Sequence, residues 1–275
     1  MRIAIQGEPG AFSHEATLAL IPDAVIEPCS VSADVFRVLT DGSVDAAVIP
    51  IENSLAGSVL EHFDLLLQHD VKVIRESQLR IRHNLIAVPG MGMEDIERVY
   101  SHPVALAQCR RFLNDHPKMR ALAFYDTAGS VKNIVESKDT HAAAIASEAA
   151  AHYYEAEILQ ADIEDNPENY TRFFLVRRAD DAAVVQDANK ISLAFSVENR
   201  PGSLVAALNE LSRMGTNLTK IESRPVHGTP WEYVFYVDCQ LHSADEGNRA
   251  IEALKPHCAM VKELGRYREA EETVR

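Results

Sequence analysis

Apolar positions in the first 180 residues alternate between short continuous runs and helical repeats. Ile3–Ile5 is a run too short for a helix; a Gly/Pro turn at Gly7–Gly10 follows it, then a helical repeat over Ser13–Leu20. Ser13 reads as the cap of that helix, with Ala16, Thr17 and Leu20 on one face. Further strands are expected at Val25–Glu27 and Ala46–Ile51. Helices are expected from Ser32 through Val35, Phe36 and Leu39, and over Glu61–Gln68. The rhythm repeats with strands at Ile81–Val88, Arg98–Ser101, Ala121–Phe124 and Ala142–Ala146, and helices at Ala105–Asp115, Ser130–Ser137 and Glu148–Tyr154. Strands alternating with helices predict a largely parallel sheet covered on both faces.

Asp180–Ala188 lacks either periodicity and reads as a linker, after which the order changes. Strands at Lys190–Val197, Asn217–Ser223, Trp231–Gln240 and Ala259–Tyr267 enclose helices at Ser203–Met214 and Asp245–Lys255. That β-α-β-β-α-β order is the ferredoxin-like arrangement. The expectation is an α/β part of two similar lobes with a cleft between them, followed by a smaller α+β module.

Composition narrows the function. The chain has 275 residues, 47% hydrophobic and 25% charged, which suits a folded protein of two domains. A net charge of −14 without a block of basic residues argues against nucleic acid and anionic membrane as partners. Four separated cysteines, Cys29, Cys109, Cys239 and Cys258, read as free thiols in a reducing compartment. The opening MRIAIQGEPG has no signal-peptide pattern and no apolar run is long enough to span a bilayer, so a cytoplasmic protein is expected. Eleven histidines form no HExxH motif, and His62 and His69 on one helical pattern are not read as metal ligands.

Candidate chemistry sits at strand ends, which face the ligand crevice in open α/β sheets. Gly7-Glu-Pro-Gly10 reads either as a tight turn or as an anion site of free amides. Glu52, Asn53 and Ser54 follow the strand Ala46–Ile51 and either bind a ligand or cap the next helix. Ser101-His102, Asp126-Thr127-Ala-Gly129-Ser130 and Ser147 repeat this pattern after three other strands. Thr171-Arg172-Phe173 enters an apolar strand and places a guanidinium among buried positions, where it needs an anion: a ligand, or an acidic side chain of the protein.

Taken together, Gly7-x-Pro-Gly-Ala-Phe-Ser13, Val48-Ile-Pro-Ile-Glu-Asn-Ser-Leu-Ala-Gly-Ser58, Ser101-His-Pro-x-Ala-Leu-Ala-Gln-Cys109, Asp126-Thr-Ala-Gly-Ser130 and Asn169-Tyr-Thr-Arg-Phe173 resemble the motifs of prephenate dehydratases. The last 85 residues resemble the ACT module that follows this catalytic domain, with Asn199-Arg-Pro-Gly-Ser-Leu-Val205 and Glu222-Ser-Arg-Pro225 similar to its two phenylalanine-binding segments. With no helical chorismate mutase domain before Met1, the resemblance is to the monofunctional form.

The resemblance implies a two-lobed, periplasmic-binding-protein-like α/β catalytic domain over residues 1–182, with lobe one at 1–78 plus 163–182 and lobe two at 79–162. An ACT regulatory domain at 188–275 is implied after it. The implied reaction turns prephenate into phenylpyruvate, carbon dioxide and water without a cofactor or metal. Thr171 is then the leading partner of the departing hydroxyl, and Arg172 the fork for a carboxylate. Asn53, Ser54, Ser101, Gln108, Thr127 and Ser147 complete the pocket with neutral donors. Phe173 packs its wall, Glu52 is an acid or a cap, and His83 stands in a shared His-x-Leu segment. Gly129-Ser130 departs from the alanines common at that place. L-Phenylalanine is the implied allosteric inhibitor, held by Asn199, Pro201, Gly202, Leu204, Glu222, Ser223 and Arg224 in a homodimer or homotetramer. Arogenate dehydratase, with the same chemistry on an amino analogue, and a non-catalytic small-molecule sensor are the alternatives.

Overall fold

Alternating runs and repeats become alternating elements in a computed structural model of the chain, which describes residues 1–226, 229 and 231–270. From the N-terminus come β1 (Arg2–Gln6), α1 (Phe12–Leu20), β2 (Val25–Cys29), α2 (Ser32–Thr40), β3 (Ala46–Asn53), β4 (Gly57–Ser58), α3 (Leu60–Gln68) and β5 (Val71–Arg80). There follow β6 (Asn84–Ala87), β7 (Arg98–Ser101), α4 (Pro103–Gln108), α5 (Arg110–Asp115), β8 (Arg120–Ala123), α6 (Thr127–Ser137), β9 (Ala142–Ala146), α7 (Glu148–Tyr153), β10 (Glu157–Gln160) and β11 (Tyr170–Arg178). The C-terminal part holds β12 (Lys190–Ser196), α8 (Ser203–Arg213), β13 (Leu218–Pro225), β14 (Tyr233–Gln240), α9 (Ala244–Leu254) and β15 (Met260–Tyr267), the expected β-α-β-β-α-β order.

By internal contacts the chain divides into two compact units, residues 1–59 with 78–173 and residues 60–77 with 174–270, so that the division falls within β5 and β11. The first unit contains two sheets. One has the order β11-β3-β1-β2, with β1 parallel to both β2 and β3. The other has the order β10-β6-β9-β7-β8, parallel at β9-β7-β8 and antiparallel at β10-β6-β9. The five residues of β9 are all buried, as a strand with helices on both sides requires.

In the second unit the order is β13-β14-β12-β15-β5, and helices α8 and α9 cover the apolar face of Ile191, Leu193, Phe195, Val237 and Cys239. Gly265 in β15 meets Val73 of β5 so closely that a Cβ there would lie 2.1 Å from the Val73 carbonyl oxygen. Phe63 of α3 packs on Tyr236 with ring centroids 5.0 Å apart, and Phe174 packs on Tyr267 at 5.3 Å. Elements from the first 180 residues therefore share a core with the C-terminal module.

Three local expectations change. Ser13 is not a cap; Ala11 is, and Ser13 is buried as the second residue of the helix, its carbonyl accepting from Thr17 Oγ1. The helix expected over Ala105–Asp115 is two helices meeting at Cys109, because the Asp165 carboxylate accepts the amides of Arg110 and Arg111 and caps the second. The strand expected from Ile81 begins only at Asn84. Ile81 N donates to Asn169 O and His83 N to Glu164 Oε2 instead of to a ladder.

Candidate active site

A cavity of ≈ 420 Å³ lies in the first unit, lined by residues of β3, β4 and β11, by residues of α1, α4 and α6, and by the segments that carry Ile81, His83 and His102. β11 reaches it with alternate residues: Thr171 and Phe173 line it, while Arg172 does not. Arg172 Nη1 lies 3.7 Å from Glu52 Oε2, and its side chain is 10% exposed. An acidic side chain of the protein thus meets this guanidinium, and Glu52 is neither a helix cap nor part of the cavity lining.

Asn53 ends β3 and organises the floor. Its Oδ1 accepts the backbone amides of Leu55 (3.0 Å) and Ala56 (2.8 Å), a short polar turn following the strand. Its Nδ2 therefore faces the other way and donates to Asn169 Oδ1 (2.7 Å), Thr171 Oγ1 (2.9 Å) and Tyr170 O (3.1 Å). Asn169 is fully buried and passes the pattern on, its Nδ2 donating to Gln108 Oε1 at 3.1 Å. Gln108 Oε1 also lies 2.9 Å from His83 Nε2. Burial holds the His83 imidazole below the usual histidine range, against weaker opposing effects of Gln108 and Glu164.

The other expected residues divide between the cavity and its frame. Thr127, the first residue of α6, lines the cavity, beside a cap in which Asp126 accepts the Gly129 amide at 2.6 Å. Ser54 does not line it; its hydroxyl donates to Glu168 O (3.1 Å) and accepts from Tyr170 N (3.0 Å), fastening β3 to β11. Ser101 is fully buried and donates to Ile145 O at 2.5 Å, joining β7 to β9. Ser147 caps α7, accepting from Ala150 N (3.0 Å) and donating to Gly10 O (2.6 Å). None of these three serines lines the cavity, and each hydroxyl donates to a backbone carbonyl of the frame.

Sequence reasoning missed Phe12, Ser13, Ser58 and Ile81 as lining residues, and took His102 only as the neighbour of Ser101. Phe12, Ser13, Ser58 and His102 had one signal, membership in the quoted motifs; Ile81 had none beyond its place in an expected strand. The Gly7–Gly10 segment is a turn and not an anion site: Gly7 N donates to Cys29 O, Glu8 N to Asp126, and Gly10 N to His14 Nδ1. Glu8 also accepts from Tyr125 Oη (3.0 Å) and Lys132 Nζ (3.1 Å), docking the turn on the neighbourhood of α6. Among the described residues no cluster of three or more His, Cys, Asp or Glu side chains is placed to hold a metal.

The second unit holds two hollows near the start of α8. Pro201 and Gly202 line one of ≈ 490 Å³ with Glu198, Arg200 and His257. Asn199 and Leu204 line another of ≈ 120 Å³ with Trp231, Tyr233 and Phe235. Glu222, Ser223 and Arg224 on β13 line neither. Glu222 lies 3.9 Å from Lys220, and Arg224 is gripped by both carboxylate oxygens of Asp64 on α3.

Comparison with known proteins places these features. The family model described as "Prephenate dehydratase" matches residues 3–181, and that of the "ACT domain" residues 191–254. The chain is 39% identical to arogenate dehydratase/prephenate dehydratase 2 of Arabidopsis thaliana, over 97% of this chain and 72% of that one. The solved prephenate dehydratase of Arthrobacter aurescens in complex with L-Phe superposes with a TM-score of 0.90 at 30% identity, covering 98% and 90% of the two chains. A solved chain described as a novel type of quorum quenching acylase superposes at 0.88 and 31% identity, covering 99% of each.

Proposed function

The chain belongs to the prephenate dehydratase family, and we propose that it converts prephenate to phenylpyruvate, carbon dioxide and water, with L-phenylalanine acting on the ACT module as feedback inhibitor. The observation that carries this reading is the Thr171 hydroxyl. It lines the cavity and accepts from Asn53 Nδ2, and among the described residues its own hydrogen reaches no protein acceptor. As the ring carboxylate departs as CO2, the electrons of that C–C bond enter the ring and expel the hydroxyl. Hydroxide leaves poorly, so a donor held at its oxygen lowers the barrier. Threonine is too weak an acid to surrender its proton unaided; it orients the oxygen and relays a proton from water.

The dianionic substrate meets no Lys or Arg among the described lining residues. Gln108 Nε2 and the Ser13, Ser58 and Thr127 hydroxyls supply hydrogen-bond donors in their place. Arg172 serves through its ion pair with Glu52, holding β11 against β3. Catalysis is assigned to residues 1–182 and regulation to 188–275. A cytoplasmic homodimer or homotetramer fits four free cysteines and β13, which pairs only with β14 among the described residues.

Arogenate carries an ammonium in place of the keto oxygen, yet no Asp or Glu lines the cavity to pair with it. Acyl transfer needs a nucleophile with an adjacent base, whereas the neighbour of Thr171 Oγ1 is a donor amide. The test is turnover of prephenate, arogenate and an N-acyl amide by the same preparation. Phenylpyruvate formed fastest from prephenate is expected; faster loss of arogenate, or release of a fatty acid alone, overturns the assignment.

A further inference from the structure

Backbone amides cannot be flipped, so they set a direction for every hydrogen bond beyond them. The Leu55 and Ala56 amides fix Asn53 Oδ1 as an acceptor, which makes Asn53 Nδ2 the donor to Asn169 Oδ1. Asn169 Nδ2 must then donate to Gln108, whose Oε1 is an acceptor for both its contacts. Gln108 Nε2, on the other side, points to Asn53 Oδ1 at 3.5 Å, consistent with that orientation. The His83 nitrogen facing Gln108 Oε1 is left only the donor role, so Nε2 carries the hydrogen. In the neutral ring Nδ1 is then a bare lone pair. That atom is inaccessible in a side chain only 2% exposed, and no described group hydrogen-bonds it. The ring lines the cavity, edge-on to Phe12 with centroids 5.6 Å apart.

We infer that His83 is locked as the Nε2–H tautomer by this relay and that its Nδ1, covered in the empty cavity and uncovered as substrate enters, accepts a hydrogen bond from the hydroxyl on the substrate ring. The identity of that donor rests on the dehydratase reading; the tautomer does not. A hydroxyl is both donor and acceptor, and the cavity offers it one complement of each kind. The Thr171 O–H donates to the hydroxyl oxygen, and His83 Nδ1 takes the hydroxyl hydrogen. Carboxylates present only lone pairs and are turned away from Nδ1. The leaving oxygen keeps its own hydrogen as the C–O bond breaks, so the contact with Nδ1 persists while negative charge grows toward Thr171. His83 therefore positions the leaving group and Thr171 answers its charge, which predicts an effect of His83 mainly on KM and of Thr171 mainly on kcat.

Two substitutions separate the ring's two nitrogens. Asparagine can place its Oδ1 where Nδ1 stands but cannot reach Gln108; glutamine can reach Gln108 but has no acceptor at the Nδ1 position. His83→Asn is expected to keep KM for prephenate within about threefold of the parent. His83→Gln is expected to raise it roughly tenfold with kcat little changed, the loss of one hydrogen bond. Thermal melting of both variants verifies folding. The tautomer is read separately in the unaltered full-length protein by ¹⁵N NMR of labelled histidine: a pyridine-type Nδ1 and a pyrrole-type Nε2 are expected. A pyrrole-type Nδ1, or equal KM values for the two variants, overturns the assignment. An unaltered protein that shows the expected tautomer but does not turn over prephenate overturns the dehydratase reading instead.

Discussion

The side-chain amide of Asn53 stands 2.9 Å from the hydroxyl oxygen of Thr171, across 118 residues of chain, and is the donor in that contact. A hydroxyl that accepts from a fixed amide keeps its hydrogen for another partner, and Thr171 lines the cavity. The same amide also holds Asn169 and the Tyr170 carbonyl, so the end of β3 sets the geometry of the start of β11.

Thr171→Val keeps the shape of a side chain that is 9% exposed and removes only the hydroxyl. Turnover should fall on the order of 10²–10⁴-fold, as for loss of a positioned proton-transfer partner, with a smaller change in substrate binding. Steady-state kinetics on prephenate tests this; a variant with a third or more of the parental kcat takes Thr171 out of the reaction.

Asn53→Asp isolates direction from contact. One carboxylate oxygen can still accept the Leu55 and Ala56 amides, so the turn survives. The other is an acceptor and forces the Thr171 hydrogen toward itself, away from the cavity. Turnover is expected to drop by more than about tenfold, and the melting temperature to fall as well, because the same oxygen then faces the Asn169 Oδ1 and the Tyr170 carbonyl. Parental activity in Asn53→Asp would contradict the donor role.

Burial lowers the pKa of His83 below the ordinary 6.5. The unfolded chain takes up a proton near pH 6.5, the native one only at lower pH. Between those two values the unfolded state binds more protons, and stability falls as pH drops. The stability difference between the parent and His83→Gln, from denaturant midpoints at pH 8 down to pH 5, should therefore shrink below about pH 6.5. A constant difference across that range rules the linkage out.

Gly10 has φ +88°, and a Cβ on it would lie 2.6 Å from the Ala150 Cα; Gly90 has φ +85° and open space around it. Gly10→Ala should cost more than about 2 kcal/mol and Gly90→Ala about 1 kcal/mol, since only the first adds a clash to the backbone strain. Chemical denaturation of both variants measures the gap, and equal losses would mean the contact with α7 carries nothing.

Regulation is best tested by substitution rather than truncation. Ending the chain at residue 188 uncovers Phe63 and Phe174, which pack on Tyr236 and Tyr267, and strands Asp64 without Arg224. Such a fragment should be poorly soluble. Gly202→Val alters only the positive-φ turn before α8. L-Phenylalanine is expected to raise the KM of the parent by roughly 5–150-fold at saturation, the range of ordinary coupling energies. Calorimetry should find weaker binding to Gly202→Val, and absence of binding to the parent removes the ACT module from control.

Much of this molecule was determined by local pattern. Runs such as Ala46–Ile51 and Ala142–Ala146 read as buried strands, because they are short for helices and five or six consecutive apolar residues need cover on both faces. The sequence reading put Thr171, Arg172 and Phe173 together in the pocket, whereas in the fold only Thr171 and Phe173 line the cavity and Arg172 meets Glu52. The order of elements after Lys190 fixed the ferredoxin-like module. Tertiary structure decided what pairs with what. Ser54, Ser101 and Ser147 look as suitable for a ligand as Asn53 and Thr127, yet backbone carbonyls that come close only on folding occupy them. β5 and β10 escaped the sequence reading because their patterns are mixed and their partners remote. Above all, the direction of the hydrogen bonds from Leu55 through Asn53, Asn169 and Gln108 to His83 exists only where four segments of chain meet. Each link depends on the orientation of the one before it, and no spacing along the sequence encodes orientation.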